Sequence, residues 1–294
     1  MTFISYAQNY EDIMLWRALK HIENGFYIDV GACSPDVYSV TKLFYKAGWR
    51  GINVEPNPDY INFYCEKRKE DINLCIAVSD KAGESEMYFI SNSGLSSLDR
   101  SIAEEHSSLG WKSTPAMVEI KTLENICEEY CVEKDIHFLK VDVEGYEDQV
   151  LRGNDWLRFR PWVVVVESTL PMSQIESYED WEPILLDANY SLAYLDGLNR
   201  FYVSKEHEEL LPAFKYPPNV FDKFKLISEI QAEAKAEQFH TELHSVYTSR
   251  SWRITAPLRW FVHQVRLLCQ KGLFSRIKAL VKKIARPFIR FMMK

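Results

Sequence analysis

The stretch Phe-Leu-Lys-Val-Asp-Val-Glu-Gly-Tyr-Glu, residues 138–147, closes an apolar run on two carboxylates, Asp142 and Glu144, two residues apart. Side chains alternate along a strand, so both acids fall on one side of it. A second apolar run, Trp-Val-Val-Val-Val-Glu at 162–167, ends on Glu167 in the same sense. Grouped carboxylates support two chemistries. A desolvated one removes a proton from a hydroxyl as general base, with Asp142 and Glu144 as the candidates. Alternatively Asp142, Glu144 and Glu167 hold a hard divalent ion such as Mg²⁺, which lowers the hydroxyl pKa. A structural reading stands beside both: Glu144 and Glu147 as first-turn acids that complement a helix dipole.

A second constellation lies upstream. Phe-Tyr-Ile-Asp-Val-Gly at 26–31 is a short apolar strand running into Asp29, Gly31 and Ala32, and Gly-Ile-Asn-Val-Glu at 51–55 ends on Glu55. In an open parallel sheet, ligands sit beyond the carboxyl ends of the strands, which is where these residues fall. A dinucleotide site needs further glycines to bring backbone and a helix N-terminus against a pyrophosphate. Here the turn reads Gly31-Ala-Cys-Ser-Pro-Asp36, and that cradle is missing. S-adenosylmethionine has no phosphates to cradle. It needs a small-residue turn for its amino-acid part and an acceptor for two ribose hydroxyls, and Glu55 can accept from both. The plain alternative is that Gly31 makes a tight turn and Glu55 caps the next helix.

These residues must be placed by an alternation of strands and helices. The patterning predicts helices over 9–20, 36–46, about 58–69, 122–131 and about 177–188, with another from Gly145 to Gly153. It predicts strands at 26–30, 51–55, 72–78, 136–143 and 162–169, and β-rich segments at 85–90 and 116–122. Val163 to Val166 are continuously β-branched, as in a strand buried on both faces. Two last strands, 190–195 and 200–205, are joined by Asp-Gly-Leu-Asn, a hairpin signal. The expected class is α/β: a mostly parallel, Rossmann-like sheet ending in an antiparallel hairpin, followed by C-terminal helices. His137 falls at the start of its strand, the wrong end for the site.

Several blocks occur in a telling order: Tyr-Ala-Gln-Asn-Tyr-Glu-Asp-Ile-Met-Leu at 6–15, the turn block 27–58, Ala-Val-Ser-Asp-Lys-Ala-Gly-Glu-Ser-Glu-Met-Tyr-Phe at 77–89, Val-Glu-Ile-Lys-Thr-Leu-Glu-Asn-Ile at 118–126, and Leu-Lys-Val-Asp-Val-Glu-Gly-Tyr-Glu at 139–147. Together they resemble the FkbM-family methyltransferases over residues 5–205. The resemblance implies a class I methyltransferase sheet, S-adenosylmethionine as cofactor, and a hydroxyl acceptor on a sugar, polyketide or other glycosylated product. It also implies that Asp29 and Gly31 line the methionine end, that Glu55 takes the ribose, and that Ser79 and Asp80 lie near the adenine. Where the family turn often continues with Asn and a further Gly, this chain has Cys33-Ser34-Pro35. The Gln8-x-x-Glu11-Asp12 block matches the family's opening motif, as a fold over the cofactor or a plain helix cap. The serine-rich loop 91–99 reads as an acceptor-binding lid.

Charge divides the chain. Over residues 250–294 there are twelve Lys/Arg and no Asp/Glu, a segment charge of +12, whereas the other 249 residues carry 23 basic and 42 acidic side chains, −19. Leu273, Ile277, Leu280, Ile284, Phe288 and Phe291 recur every three or four residues among Lys and Arg. That pattern fits a helix lying in an anionic membrane interface, or one packed on a partner protein. Ser-Arg-Ser-Trp-Arg-Ile-Thr-Ala-Pro-Leu-Arg at 249–259 resembles tails on enzymes of bacterial surface-polysaccharide synthesis. No nucleic-acid module accompanies the charge, so nucleic acid is not an expected partner. The expected organisation is a methyltransferase domain over 1–205, a linker over 206–221 and a helical extension over 222–294. Six scattered cysteines, no Cys-x-x-Cys and no leader-like N-terminus place the expectation in a reducing cytoplasm, peripheral on the inner membrane face. A non-catalytic scaffold and a nucleotide-dependent oxidoreductase are the competing functions.

Overall fold

The computed structural model describes residues 3–90, 96, 98, 111, 113–270 and 278. The chain opens with β1 (Phe3–Ser5) and α1 (Glu11–Leu19), then β2 (Phe26–Val30), α2 (Lys42–Lys46), β3 (Arg50–Val54), α3 (Pro58–Lys67) and β4 (Ile72–Leu74). A short β5 (Ala77–Val78) precedes a long pair, β6 (Gly83–Ile90) and β7 (Ser113–Lys121). The alternation resumes with α4 (Leu123–Tyr130), β8 (Phe138–Val141), α5 (Glu147–Arg152), β9 (Val163–Glu167) and α6 (Glu182–Asp187). The hairpin β10 (Tyr190–Leu195) and β11 (Asn199–Ser204) follows.

The main sheet has seven strands in the order β10-β11-β9-β8-β2-β3-β4. Only β11 is antiparallel to its neighbours; it inserts between β9 and β10. The chain steps outward from β2 through β3 to β4, then crosses back to place β8 on the other side of β2. The β2/β8 boundary is therefore the topological switch point, where open sheets bind ligands. Val163 to Val166 of β9 are fully buried, each stabilising the fold by roughly 1.5–3 kcal/mol. One face packs on α4, α5 and α6 through Leu123, Ile126, Val150, Leu151 and Leu185. The opposite face packs on α1 and α2 through Leu15 and Phe44.

Four expectations are corrected. The helix expected over 36–46 starts only at Lys42, because the chain before it is held in turns. Ser34 Oγ accepts from the amides of Asp36 and Val37, and the buried Arg68 donates to Pro35 O and Ser39 Oγ. The strand expected over 72–78 breaks after Leu74: β4 closes the main sheet, whereas β5 pairs with β7 in a separate three-stranded sheet. The helix expected over 177–188 shrinks to Glu182–Asp187, since residues 169–176 fold back on themselves through a bridge between Thr169 and Glu176.

The fourth correction concerns the linker. Residues Lys205–Phe214 form a 3₁₀ segment whose Leu210 and Phe214 are buried with Leu15 and Phe201. Beyond it, β12 (Phe224–Leu226) pairs in parallel with β1. The guanidinium of Arg17 fixes this return through Asp222 and the carbonyls of Ala213 and Tyr216. The first compact unit accordingly spans Met1–Ile227, and the second Ser228–Lys294. Within the second, α7 (Ile227–Thr248) buries no residue, and α8 (Arg250–Ile254) and α9 (Ala256–Gln270) follow. Ser249 caps α8 by accepting from Trp252 N, and the Arg259 guanidinium sits 3.7 Å over the Trp252 ring. Most of the serine-rich loop, together with residues 271–277 and 279–294 of the tail, lies outside the described residues.

Phe214→Ala is expected to cost the first unit about 3–5 kcal/mol in urea unfolding, the range for emptying a buried aromatic site. A linker residue would cost nothing measurable, and that result would contradict the assignment.

Candidate active site

At the switch point β2 runs into Gly31, whose φ is +78°. A Cβ on Gly31 would lie 1.7 Å from the main-chain oxygen of Asp142. No side chain fits there, and the exits of β2 and β8 approach this closely only because residue 31 is glycine. The three strand ends are also stitched by backbone: Gly31 and Ala32 donate to Val54 O at 3.0 and 3.1 Å, and Asp142 donates to Val30 O at 3.1 Å.

Lys140 lies between them, 9% exposed. Its Nζ donates to Gly31 O at 3.1 Å and ion-pairs with Asp142 Oδ2 at 3.1 Å and Asp29 Oδ1 at 3.4 Å. Burial works against this ammonium, but Asp142 and Asp29 outweigh it and hold the lysine protonated well above its usual range. Asp29 is 1% exposed and also accepts from Thr41 Oγ1 at 3.2 Å. It therefore backs Lys140 and the turn from beneath. Sequence reading passed over Lys140. The signal was present: a lysine two residues before Asp142, inside an apolar strand, shares that acid's face and must find anionic partners.

On the β3 side, Glu55 is 7% exposed. Its Oε2 accepts from Cys33 N at 2.9 Å and its Oε1 from Asn57 N at 2.8 Å. Burial raises its pKa to about 7 in spite of these two bonds. Each carboxylate oxygen keeps acceptor capacity beyond one backbone bond, so a pair of vicinal hydroxyls can still be received. Next to it opens a small apolar cleft lined by Val30, Gly31, Val54, Ile76, Val78 and Tyr146. Ala32 is buried, with its carbonyl taken by Tyr64 Oη at 2.8 Å.

Ser79 and Asp80 lie just past the cleft and do not line it. Ser79 Oγ donates to Asp80, and Ser79 O packs against Gly153, where a Cβ would come within 2.4 Å. Ala77, Val78 and Met87 are the residues of that block which line the cleft. Because α2 begins eleven residues after Gly31, the turn does not run directly into a helix N-terminus. The donor set fits an adenosyl group without phosphates and lacks what a pyrophosphate requires.

Toward β9 the crevice becomes acidic. The register places Glu167 opposite Asn199 of β11 and one step beyond the Val141–Val166 pair, beside Asp142. Burial first, and then the negative charge of Asp142, push the carboxyls of both Glu144 and Glu167 upward. Glu167 Oε2 is buried with no hydrogen-bond partner in the structure. Glu144 sits at a φ of +55°, a backbone state uncommon for a residue with a side chain and often found at functional sites. Glu147 has a separate task. Its Oε1 accepts from Val143 N and Gly145 N, both at 3.1 Å, and clamps the loop entering α5. The first-turn reading thus holds for Glu147 and fails for Glu144.

The metal expectation is corrected as well: Asp142, Glu144 and Glu167 are not arranged as a metal-holding set, nor is any trio of His, Cys, Asp or Glu among the described residues. Asp142 already faces a cation, Lys140. His137 is at the opposite edge, where its Nδ1 accepts from Phe26 N at 3.0 Å. Glu11 and Asp12 are buried. Glu11 receives Asn9 N and Asn199 Nδ2, and Asp12 receives Ser5 Oγ and Tyr6 N, so the opening motif ties α1 to the hairpin.

A family model described as "Methyltransferase FkbM domain" matches residues 29–192, more than half of the chain. No curated protein matches the sequence. Among solved structures, precorrin-6y C5,15-methyltransferase from Geobacter metallireducens GS-15 aligns with a TM-score of 0.34 and 11% identity, covering 70% of this chain and 94% of that one.

Burial raises the pKa of Glu11, Glu55 and Glu147 to about 7 and that of Asp12 to about 6. The native state therefore binds these protons more tightly than the unfolded chain, and their contribution to stability falls as pH rises from about 4.5 to about 7. Glu55→Gln should remove one share of that slope, on the order of 2 kcal/mol, in urea unfolding at pH 5, 6, 7 and 8. Parallel wild-type and Glu55→Gln stability profiles would contradict the assignment.

Proposed function

Because the chain belongs to the FkbM-domain methyltransferase family, we propose that it is an S-adenosylmethionine-dependent O-methyltransferase acting on a sugar hydroxyl of a glycan, glycolipid or glycosylated metabolite. The observation that carries the reading is the juxtaposition at the switch point: a helix-free glycine turn, the Glu55 carboxylate beside an apolar cleft, and the acidic wall one strand away. When bound, S-adenosylmethionine supplies a methyl group already activated by a sulfonium centre. The apolar cleft takes the purine and Glu55 the ribose hydroxyls. Asp142 and Glu144 would orient the acceptor hydroxyl, and Asp142 would receive its proton as the oxygen–carbon bond forms and the methyl–sulfur bond breaks. Several carboxyl groups in one wall, able to accept and, where protonated, to donate, also suit a ligand with several hydroxyls, as a sugar has.

A place at an anionic membrane surface, in surface-polysaccharide synthesis, is part of the same proposal. It is supported by α8 and α9, where Ile254, Leu258, Trp260 and Phe261 are exposed beside Arg250, Arg253, Arg259 and Arg266, with no acid over residues 250–294. No helix among the described residues is long and apolar enough to cross a membrane, so the fit is to an interfacial helix. A partner protein is the other occupant that this surface suits.

Calorimetry is expected to show saturable binding of S-adenosylmethionine and none of NADH; the reverse would return the oxidoreductase reading. Asp142→Asn should keep cofactor binding while methyl transfer falls by about 10²–10⁴-fold, and host glycans should lose 14 daltons, about the mass of one CH₂, when the protein is absent. Full turnover by Asp142→Asn, or an unchanged glycan mass, would count against the enzyme. The full chain should co-sediment with vesicles rich in anionic lipid, less so in high salt, whereas a chain ending at residue 249 should stay in solution. Equal sedimentation of the two would refute the membrane role.

A further inference from the structure

Lys140 raises a question that holding the turn together does not answer. Two carboxylates, Asp29 and Asp142, flank the exit of β2 and β8, and one buried ammonium is paired with both. Among the described residues no other cation pairs with either acid. The remaining acids of the crevice, Glu55, Glu144, Glu147 and Glu167, are all pushed toward the uncharged form by burial. The charge directly ion-paired at the two strand exits is set by this trio, about −1 with the lysine and −2 without it; Arg68 reaches Asp29 only through the Thr41 hydroxyl.

The reaction class makes that difference matter. A crevice with excess negative charge binds a sulfonium more tightly than the neutral thioether left after transfer. Interactions stronger in the ground state than in the transition state slow the chemical step. We infer that Lys140 is a positioning residue that also acts as an electrostatic counterweight, cancelling one of two carboxylates so that the crevice does not over-stabilise its cationic cofactor. The inference rests on the methyltransferase reading and deepens it. It assigns to this side chain the balance between holding the methyl donor and releasing the demethylated product. The strand supplies the geometry. Lys140 lies beside Asp29 in the register and two residues before Asp142, so its ammonium can reach both acids and the Gly31 carbonyl at once.

The test is the ratio of two affinities, measured by calorimetry on the full chain with S-adenosylmethionine and S-adenosylhomocysteine as probes. In Lys140→Met the preference for the sulfonium over the thioether should rise on the order of tenfold, the Coulomb effect of one unit charge at close range in a partly screened site. Lys140→Arg should keep the wild-type ratio. A purely structural lysine would weaken both ligands equally in Lys140→Met, and an unchanged or reduced ratio overturns the inference. If Lys140→Met fails to fold, Asp142→Asn carries the test, because it leaves the ammonium against Asp29 alone. There the sulfonium preference should fall by a similar factor, and an unaltered ratio overturns the proposal. A wild-type protein that binds neither probe removes the methyltransferase premise itself, an outcome distinct from binding both with a charge-insensitive ratio.

Discussion

The contact between Gly31 and the main-chain oxygen of Asp142 is the constraint from which the rest of the site follows. It brings the exits of two strands far apart in sequence to within backbone contact at the point where the chain reverses its path across the sheet. Nothing with a side chain fits there, so what lies above the turn must be approached through bare peptide groups. Once the two exits touch, Asp29 and Asp142 are brought to one ammonium, and burying that charge is tolerable only because both acids and a carbonyl receive it. The result is a rigid floor with a carboxylate on either flank: Glu55 toward the apolar cleft, and the Asp142–Glu167 wall away from it.

Much of this floor was legible in the residues. Alternating apolar runs and helices gave the strand sequence, and Asp-Gly-Leu-Asn gave the hairpin, because these signals are local. The four valines of β9 declared a strand buried on both faces. What stayed hidden depends on contacts between distant segments. Residues 36–41 run without a break into the helix that follows and read as part of it, yet Arg68, at the C-terminal end of α3, bonds Pro35 O and Ser39 Oγ and holds this stretch in turns. Residues 72–78 read as one strand, but β7 captures its second half for another sheet. The 206–221 stretch looked like a linker because its proline and charge content hides two apolar anchors, Leu210 and Phe214. At the site, Asp29, Glu55 and Asp142 could be placed from strand ends alone. The partner that organises two of them, Lys140, reads on composition as an ordinary lysine in a strand. Likewise Ser79 and Asp80 were placed near the adenine by resemblance, and the fold shows them directly after Ala77 and Val78, which line the cleft.

The acid-free, basic segment from residue 250 lies wholly within the second compact unit. The first unit carries the crevice with its buried carboxyls. The basic unit has no acid from residue 250 onward and exposes apolar side chains on α8 and α9. The proposed role in glycan modification at a membrane surface rests on the presence of both features in one protein.

The most direct measurement is a crystal structure with S-adenosylhomocysteine. The account predicts both ribose hydroxyls within hydrogen-bond distance of Glu55, the purine between Val54 and Tyr146, and the thioether sulfur over the Gly31–Asp142 contact. A nucleoside seated elsewhere, with Glu55 bonded only to the amides of Cys33 and Asn57, would contradict it.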